Sequence, residues 1–128
     1  MTATPTAALA LRCVRAGLLA TTAPDTPSAT LVPNPRPDTF IRVDTTAPIR
    51  ETLVSRRALV AVQVWAPTEA RAAMMAEELA DALESAAYEA APTVLGWAPG
   101  LDPHSWPDPD DPHACRWQFT ATLTHSLV

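Results

Sequence analysis

The sequence contains no lysine, so all nine of its basic residues are arginines. This absence excludes a P-loop lysine, a Schiff-base lysine and a lysine general base. Its three glycines are too few and too scattered to form a glycine-rich cradle for phosphate. No G-x-S-x-G sequence surrounds a serine, so the strained turn that presents a nucleophilic hydroxyl is missing as well. These absences favour a protein that is not an enzyme.

Cysteine is also scarce, and Cys13 and Cys115 are far apart without a C-x-x-C motif. We expect two reduced, partly buried thiols in an intracellular protein. A Cys115–His113 nucleophile is disfavoured, because strand alternation predicts Cys115 on an apolar face where a thiol is inert. No apolar run approaches the roughly 20 residues of a membrane span, and Arg12 and Arg15 interrupt the leading segment. The expectation is a soluble chain that is not exported and contacts no membrane.

Charge of either sign is limited to 18% of the residues, whereas apolar residues make up 48%, so one folded domain over residues 1–128 is expected. The formal net charge of −5 argues against general nucleic-acid affinity. Counting Arg against Asp and Glu gives +3 for residues 1–66 and −8 for residues 67–128. Copies with a basic and an acidic half can pair head to tail into rings, or the halves can neutralise each other within one fold.

Apolar periodicity predicts two helices and a run of strands. Val60, Val62 and Val64 alternate in a near-continuous apolar strand, which indicates a central strand buried on both sides. The predicted elements are a helix over Thr6–Ala20, strands over Ser28–Val32, Thr39–Asp44, Ile49–Ser55 and Leu59–Trp65, a helix from Pro67 to Ala90, and strands over Thr93–Trp97 and Cys115–Thr124. This order predicts an α+β fold, a mostly antiparallel sheet with two helices packed on one face.

The proline- and aspartate-rich segment 98–114 is predicted as a loop, and it holds the residue types of a metal site. The candidate ligands are His104, Asp108, Asp110, Asp111 and His113. Their spacing fits neither a calcium-binding EF-hand loop nor a structural zinc site. We therefore expect no metal, no cofactor and no catalytic residue here, and a loop that is solvated or contacts a partner.

Two charged features have two interpretations each. The acidic side of the long helix and the pair Arg56–Arg57, which is read as a charged turn, are either solvated or contact surfaces in an assembly. The threonines that alternate along the last strand suit a solvated sheet face, and they also suit the wet lining of a channel.

Three stretches carry a resemblance to a known family. They are Arg36–Val43 (RPDTFIRV), Leu59–Ala66 (LVAVQVWA) before an alanine-rich helix, and Pro107–Asp110 followed by Arg116–Leu123 (RWQFTATL). Together they resemble the tail-terminator proteins of siphophages, in particular those infecting actinobacteria. The resemblance covers most of the chain from Arg36 onward.

The resemblance implies a ring of six copies that caps the completed tail tube, stops its polymerisation and presents a surface to the head connector. The implied partners are other copies, the tail tube protein and the connector or completion protein, with DNA only passing through the lumen. Assembly in the host cytoplasm would leave the chain in the virion, at the tail–head junction. Arg36, Arg42 and Arg50, the last two expected on neighbouring strands, are the predicted contacts to subunits or tube. The alternatives are another head–tail joining protein and, from a different class, a small metal- or ligand-binding α+β module.

Overall fold

The computed structural model describes residues 5–127 of the chain. Its helices and strands, in chain order, are α1 (Thr6–Leu18), β1 (Ser28–Ala29), β2 (Phe40–Thr45), β3 (Ile49–Thr52), β4 (Ser55–Ala66), α2 (Glu69–Ala90), β5 (Val94–Pro99), β6 (His104–Ser105) and β7 (Cys115–Ser126). The predicted α+β architecture is confirmed. No helix in this range is long and apolar enough to cross a bilayer.

The sheet is open and mixed, but mostly antiparallel. Its strand order is β1-β2-β4-β7-β5, with β3 paired to β4 and β6 paired to β7. Only the short β1–β2 pair is parallel among the described strands. The two longest strands, β4 and β7, pair along their whole length at the centre of the sheet, from Ser55↔Ser126 to Ala66↔Cys115.

Strands β2 and β3 follow one another along the same edge of β4. The path breaks over residues 46–48, where Pro48 lacks the N–H that a ladder needs, and then resumes at Ile49. Leu53 and Val54 form the turn of a hairpin whose Thr52 pairs with Ser55. The predicted strand over Ile49–Ser55 is therefore wrong at its end. The charged turn predicted at Arg56–Arg57 is also wrong, because both residues pair with β7 inside β4.

Both helices pack on one face of the sheet, as predicted. Leu9 and Val14 of α1 and Leu79 and Leu83 of α2 are buried in one cluster with inward-facing residues of β2, β4, β5 and β7. Thr68 caps α2 by accepting a hydrogen bond from the Arg71 amide at 3.2 Å. Helix α1 ends at Leu18, two residues earlier than predicted.

The predicted loop over residues 98–114 contains more regular structure than expected. Strand β5 continues to Pro99, and the short β6 pairs His104 with Gln118 and Ser105 with Trp117. A two-residue strand bounded by prolines leaves no alternation in the sequence, so the pattern could not reveal it.

Candidate functional site

The sheet face turned away from the helices carries a polar row across its three central strands. Arg42 on β2, Gln63 on β4 and Gln118 on β7 are successive cross-strand neighbours. Gln63 donates through Nε2 to Gln118 Oε1 at 2.9 Å, and Arg42 donates to Gln63 Oε1 at 3.5 Å and to the Thr30 carbonyl at 3.2 Å. Both glutamines are buried, so this row fixes the alignment of the strands rather than offering free polar groups to a ligand.

Next to this row, Trp65 is enclosed by two arginines. The guanidinium carbons of Arg36 and Arg116 each lie 5.4 Å from the centroid of the indole ring, within range of a cation–π contact. Phe40 packs on the same ring with centroids 6.0 Å apart. Trp65 is only 3% exposed, and its Nε1 is the one buried side-chain polar atom without a partner among the described residues.

The two arginines hold two loop segments against this end of the face. Arg116 donates to the carbonyls of Trp106 at 2.7 Å and Pro107 at 3.0 Å, while Arg36 forms an ion pair with Asp111 at 3.3 Å. The proline-rich connector after β1 and the segment 98–114 are thereby held against the sheet. This end of the face is closed by the chain itself.

The opposite end of the same face is exposed, and it continues into the hairpin of residues 49–57. Leu59 is 45% exposed on β4, although Val60 beside it is fully buried on the helix side. Burial of the central strand on both sides is therefore confirmed only near its end at Ala66. On the hairpin, Ile49 is 59% and Leu53 86% exposed. Several exposed apolar side chains on one short segment are typical of a contact surface.

The structure does not bring the three predicted contact arginines together. Arg36 and Arg42 are half-buried at the closed end of the face, where their hydrogen bonds go to the chain's own atoms. Arg50 is exposed on the hairpin, roughly 25 Å from Arg42 at the usual rise per strand residue. The two lie on successive strands along one edge of β4, not on neighbouring strands as expected. Their role in subunit or tube contacts stays a prediction.

Three of the five candidate metal ligands of segment 98–114 form local side-chain hydrogen bonds. Asp108 and Asp111 accept from the amides of Asp110 and His113, and the Nδ1 atom of His104 lies 2.7 Å from the Asp102 carbonyl oxygen. Within residues 5–127, no three His, Cys, Asp or Glu side chains are grouped so that they could share a metal ion. The side chains in this segment tie the loop to itself and, through Asp111, to Arg36.

The two cysteines lie in different surroundings. Cys13 is fully buried between the helices, with Sγ 3.8 Å from the Ala87 carbonyl, and burial raises the pKa of its thiol to about 11. Cys115 is half-buried at the start of β7, where desolvation and the Glu69 carboxylate raise its thiol pKa. A raised pKa keeps both thiols protonated near neutral pH, which is the poorly nucleophilic form.

The outer side of α2 is strongly acidic and borders a groove. Glu77, Asp81 and Glu84 line this groove together with Asp102, which follows β5. Its remaining lining residues are Ala80, Pro99 and Pro103, and its volume is about 240 Å³. We call it the acidic groove. The sequence indicated the acidic helix, but not that the chain after β5 returns beside it to form a wall.

Sequence reasoning also missed the two-sided enclosure of Trp65. The sequence offered one indication, because Trp65 and Arg116 both lie in stretches that resemble tail terminators. Their contact depends on the register of β4 with β7, in which Trp65 pairs directly with Arg116. No protein-family model matches the chain, and no curated protein shows significant similarity to it.

Proposed function

We propose that the chain is a structural virion protein, a tail terminator that caps the completed phage tail tube as a ring of six copies. In this role it ends tube polymerisation and provides the interface to the head connector. The action is steric, so it needs no cofactor and no catalytic residue. The site of action is the tail–head junction, reached after assembly in the host cytoplasm.

The observation that carries the proposal is the arrangement of the three stretches that resemble tail terminators. They form β2, β4 and β7, which are contiguous at the centre of the sheet. Their residues on the face turned away from the helices meet in two adjacent cross-strand rows, the polar Arg42–Gln63–Gln118 and the mainly aromatic Phe40–Trp65–Arg116. Three sequence stretches that lie side by side in the sheet support the resemblance more strongly than three stretches on separate parts of the fold would.

The exposed surfaces support a role in assembly. The hairpin of residues 49–57 presents apolar side chains to solvent, and the threonines of β7 continue a half-exposed face beside it. Edge strands β3 and β5 each have only one strand partner among the described residues, so a neighbouring subunit can pair with their outer edges. On β5, the Trp97 amide already donates to the Tyr88 hydroxyl at 3.0 Å. Arg36 and Arg42, which hold the closed end of the face, act in this proposal by shaping the surface that meets the tube.

Deleting the gene from the phage that encodes it tests the proposal. A terminator controls length, so electron microscopy of lysates is expected to show tails far longer than wild type, and complementation with the intact chain is expected to restore their length. Tails of normal length separate from filled heads would contradict termination and indicate the joining protein instead. Normal infectious particles would exclude both roles.

A further inference from the structure

The hairpin of residues 49–57, called here the basic hairpin, contains two arginines without a carboxylate partner. Arg50 on β3 lies directly opposite Arg56 on β4. The only acid of the hairpin, Glu51, is already paired with Arg57 at 3.0 Å, and no ion pair joins Arg50 or Arg56 to any described residue. Like charges directly opposite each other destabilise a strand pair. An external anionic group beside them would relieve that repulsion.

The turn of the basic hairpin is apolar. Leu53 at the turn is the most exposed large hydrophobic residue of the described chain, and Val54 next to it is also exposed. Ile49, at the other end of the hairpin, is exposed as well. A partner for this hairpin must therefore combine apolar surface with negative charge.

The acidic groove offers that combination on the same molecule. Glu77, Asp81 and Glu84 follow one another at spacings of four and three residues, so their carboxylates share one face of α2 and repel each other. No arginine lines the groove, and none of its four acids forms an ion pair with a described residue. Pro99 and Pro103 of its wall, with the exposed Leu101 between them, provide apolar surface.

The two surfaces lie at opposite edges of the sheet, so one copy cannot join its own. The basic hairpin borders β4 on the β2 side, whereas the groove borders β5 beyond β7. Three strand spacings, roughly 14 Å, separate the β3 and β5 edges. Complementary surfaces at two different places on one protomer make a heterologous contact, which propagates from copy to copy and closes when the rotation allows.

We propose that the basic hairpin of each copy docks into the acidic groove of the next, with Arg50 and Arg56 against the carboxylates of Glu77, Asp81 and Glu84. The tip at Leu53 lies on the apolar wall beside Leu101. This inference rests on the ring proposed above, and it names the surfaces that close the ring. The contact of Arg50 is thereby with a second copy of this chain rather than with the tube.

Two charge-reversed variants test the contact. The first combines Arg50→Glu with Arg56→Glu, and the second combines Asp81→Arg with Glu84→Arg. In the first variant alone, like charges face each other across every subunit contact. In the second alone, Arg50 and Arg56 face two new arginines, and the groove loses its net negative charge because only Glu77 and Asp102 stay acidic. Association is expected to weaken at least about 100-fold in the first variant and at least about 10-fold in the second. The measurement is the assembled mass by sedimentation, in solution and on purified tail tubes, with circular dichroism as the check of folding.

The decisive experiment mixes the two variants in equal amounts. The reversed hairpin of the first variant then faces the reversed groove of the second, and the native hairpin of the second faces the native groove of the first. Every contact regains opposite charges only if the copies alternate, which a ring of six permits. The mixture is therefore expected to assemble to the wild-type mass, although each variant alone stays dissociated.

Matched controls change the same number of charges elsewhere. They are Arg12→Glu with Arg71→Glu, and Asp25→Arg with Glu89→Arg, all exposed positions outside both surfaces, and both are expected to assemble as wild type does. Reversed variants that assemble alone, or a mixture of folded variants that stays dissociated, would overturn the docking and leave the ring standing. A wild-type chain that associates neither in solution nor on tubes would overturn the ring and the docking together.

Discussion

Gly17 lies where α1 meets two leucines of α2. A Cβ atom at this position would lie 3.0 Å from Leu83 Cδ2 and 3.1 Å from Leu79 Cδ1. Both leucines are fully buried, so neither side chain has space to withdraw. We expect Gly17→Val to lower the free energy of unfolding by about 1–3 kcal/mol, because the added methyls force the helices apart. Chemical denaturation measures the change.

A second glycine provides the comparison. At Gly96 the nearest atom to an added Cβ is Thr124 Cβ at 3.4 Å, which is ordinary contact. Gly96→Ala is expected to alter stability by no more than about 0.5 kcal/mol. Equal losses for the two variants would mean that close helix packing is not the reason for glycine at position 17.

Glu78 illustrates how one contact sets a pH dependence. Hydrogen bonds from Thr22 Oγ1 and the Thr22 amide hold the pKa of the Glu78 carboxyl below its ordinary value. Because the pKa of Glu78 is lower in the folded state than in the unfolded state, its ionised carboxylate stabilises the fold at any pH above the unfolded-state pKa. This stabilisation is lost as the pH falls through the folded-state pKa.

Thr22→Val removes the hydroxyl donor and keeps the amide. The pKa of Glu78 is expected to rise toward its ordinary value, as followed by the carboxyl carbon shift in an NMR titration. The variant should be less stable than wild type at neutral pH, with the difference shrinking at acid pH. Thr22→Ser retains the donor and is the control. An unchanged Glu78 titration in the valine variant would show that the hydroxyl bond does not form.

Helices and strands could be predicted from the sequence where a regular apolar pattern extends over many residues. Helix α2 and strand β7 each carry a stripe or an alternation over more than ten residues, and both lie where the pattern placed them. The hairpin turn was missed because Leu53 and Val54 favour strands and contain none of the usual turn residues. The sequence indicated the acidic side of α2, which forms one of the two proposed contact surfaces. It could not show that Arg50 lies opposite Arg56, because that pairing depends on the register of the folded hairpin.

The segment 98–114 is an element whose order depends on a few contacts. Arg116→Ala removes the two hydrogen bonds to Trp106 and Pro107 and one side of the enclosure of Trp65. We expect amide hydrogen exchange in the segment to become several-fold faster and stability to fall by about 1–2 kcal/mol.

Arg57→Ala is the matched control for that element. Arg57 lies on the same sheet face at its exposed end, and its ion pair with Glu51 is local to the hairpin. Its loss should leave exchange in residues 98–114 unchanged. If exchange in residues 98–114 becomes faster in both variants, or stays at the wild-type rate in both, Arg116 is not the specific tether of the segment.

For the whole molecule, the uneven charge of the sequence becomes an uneven distribution over the fold. The sequence left open whether the basic and acidic halves neutralise each other internally. One ion pair joins the two halves, Arg36–Asp111. The other two, Arg42–Asp44 and Arg57–Glu51, lie within the basic half. The basic hairpin and the acidic groove remain unneutralised among the described residues, because β4 and β7 separate them. This separation could not be predicted from composition, since it depends on strand order.

We propose above that this chain closes as a ring on the end of a tail tube. Cryo-electron microscopy of purified tails, with the chain identified by a bound antibody fragment, tests it most directly. We expect six copies in one closed ring at the head-proximal end of every tube, with none along its length. Tubes whose ends lack the chain, or copies spread along the tube, would contradict the claim.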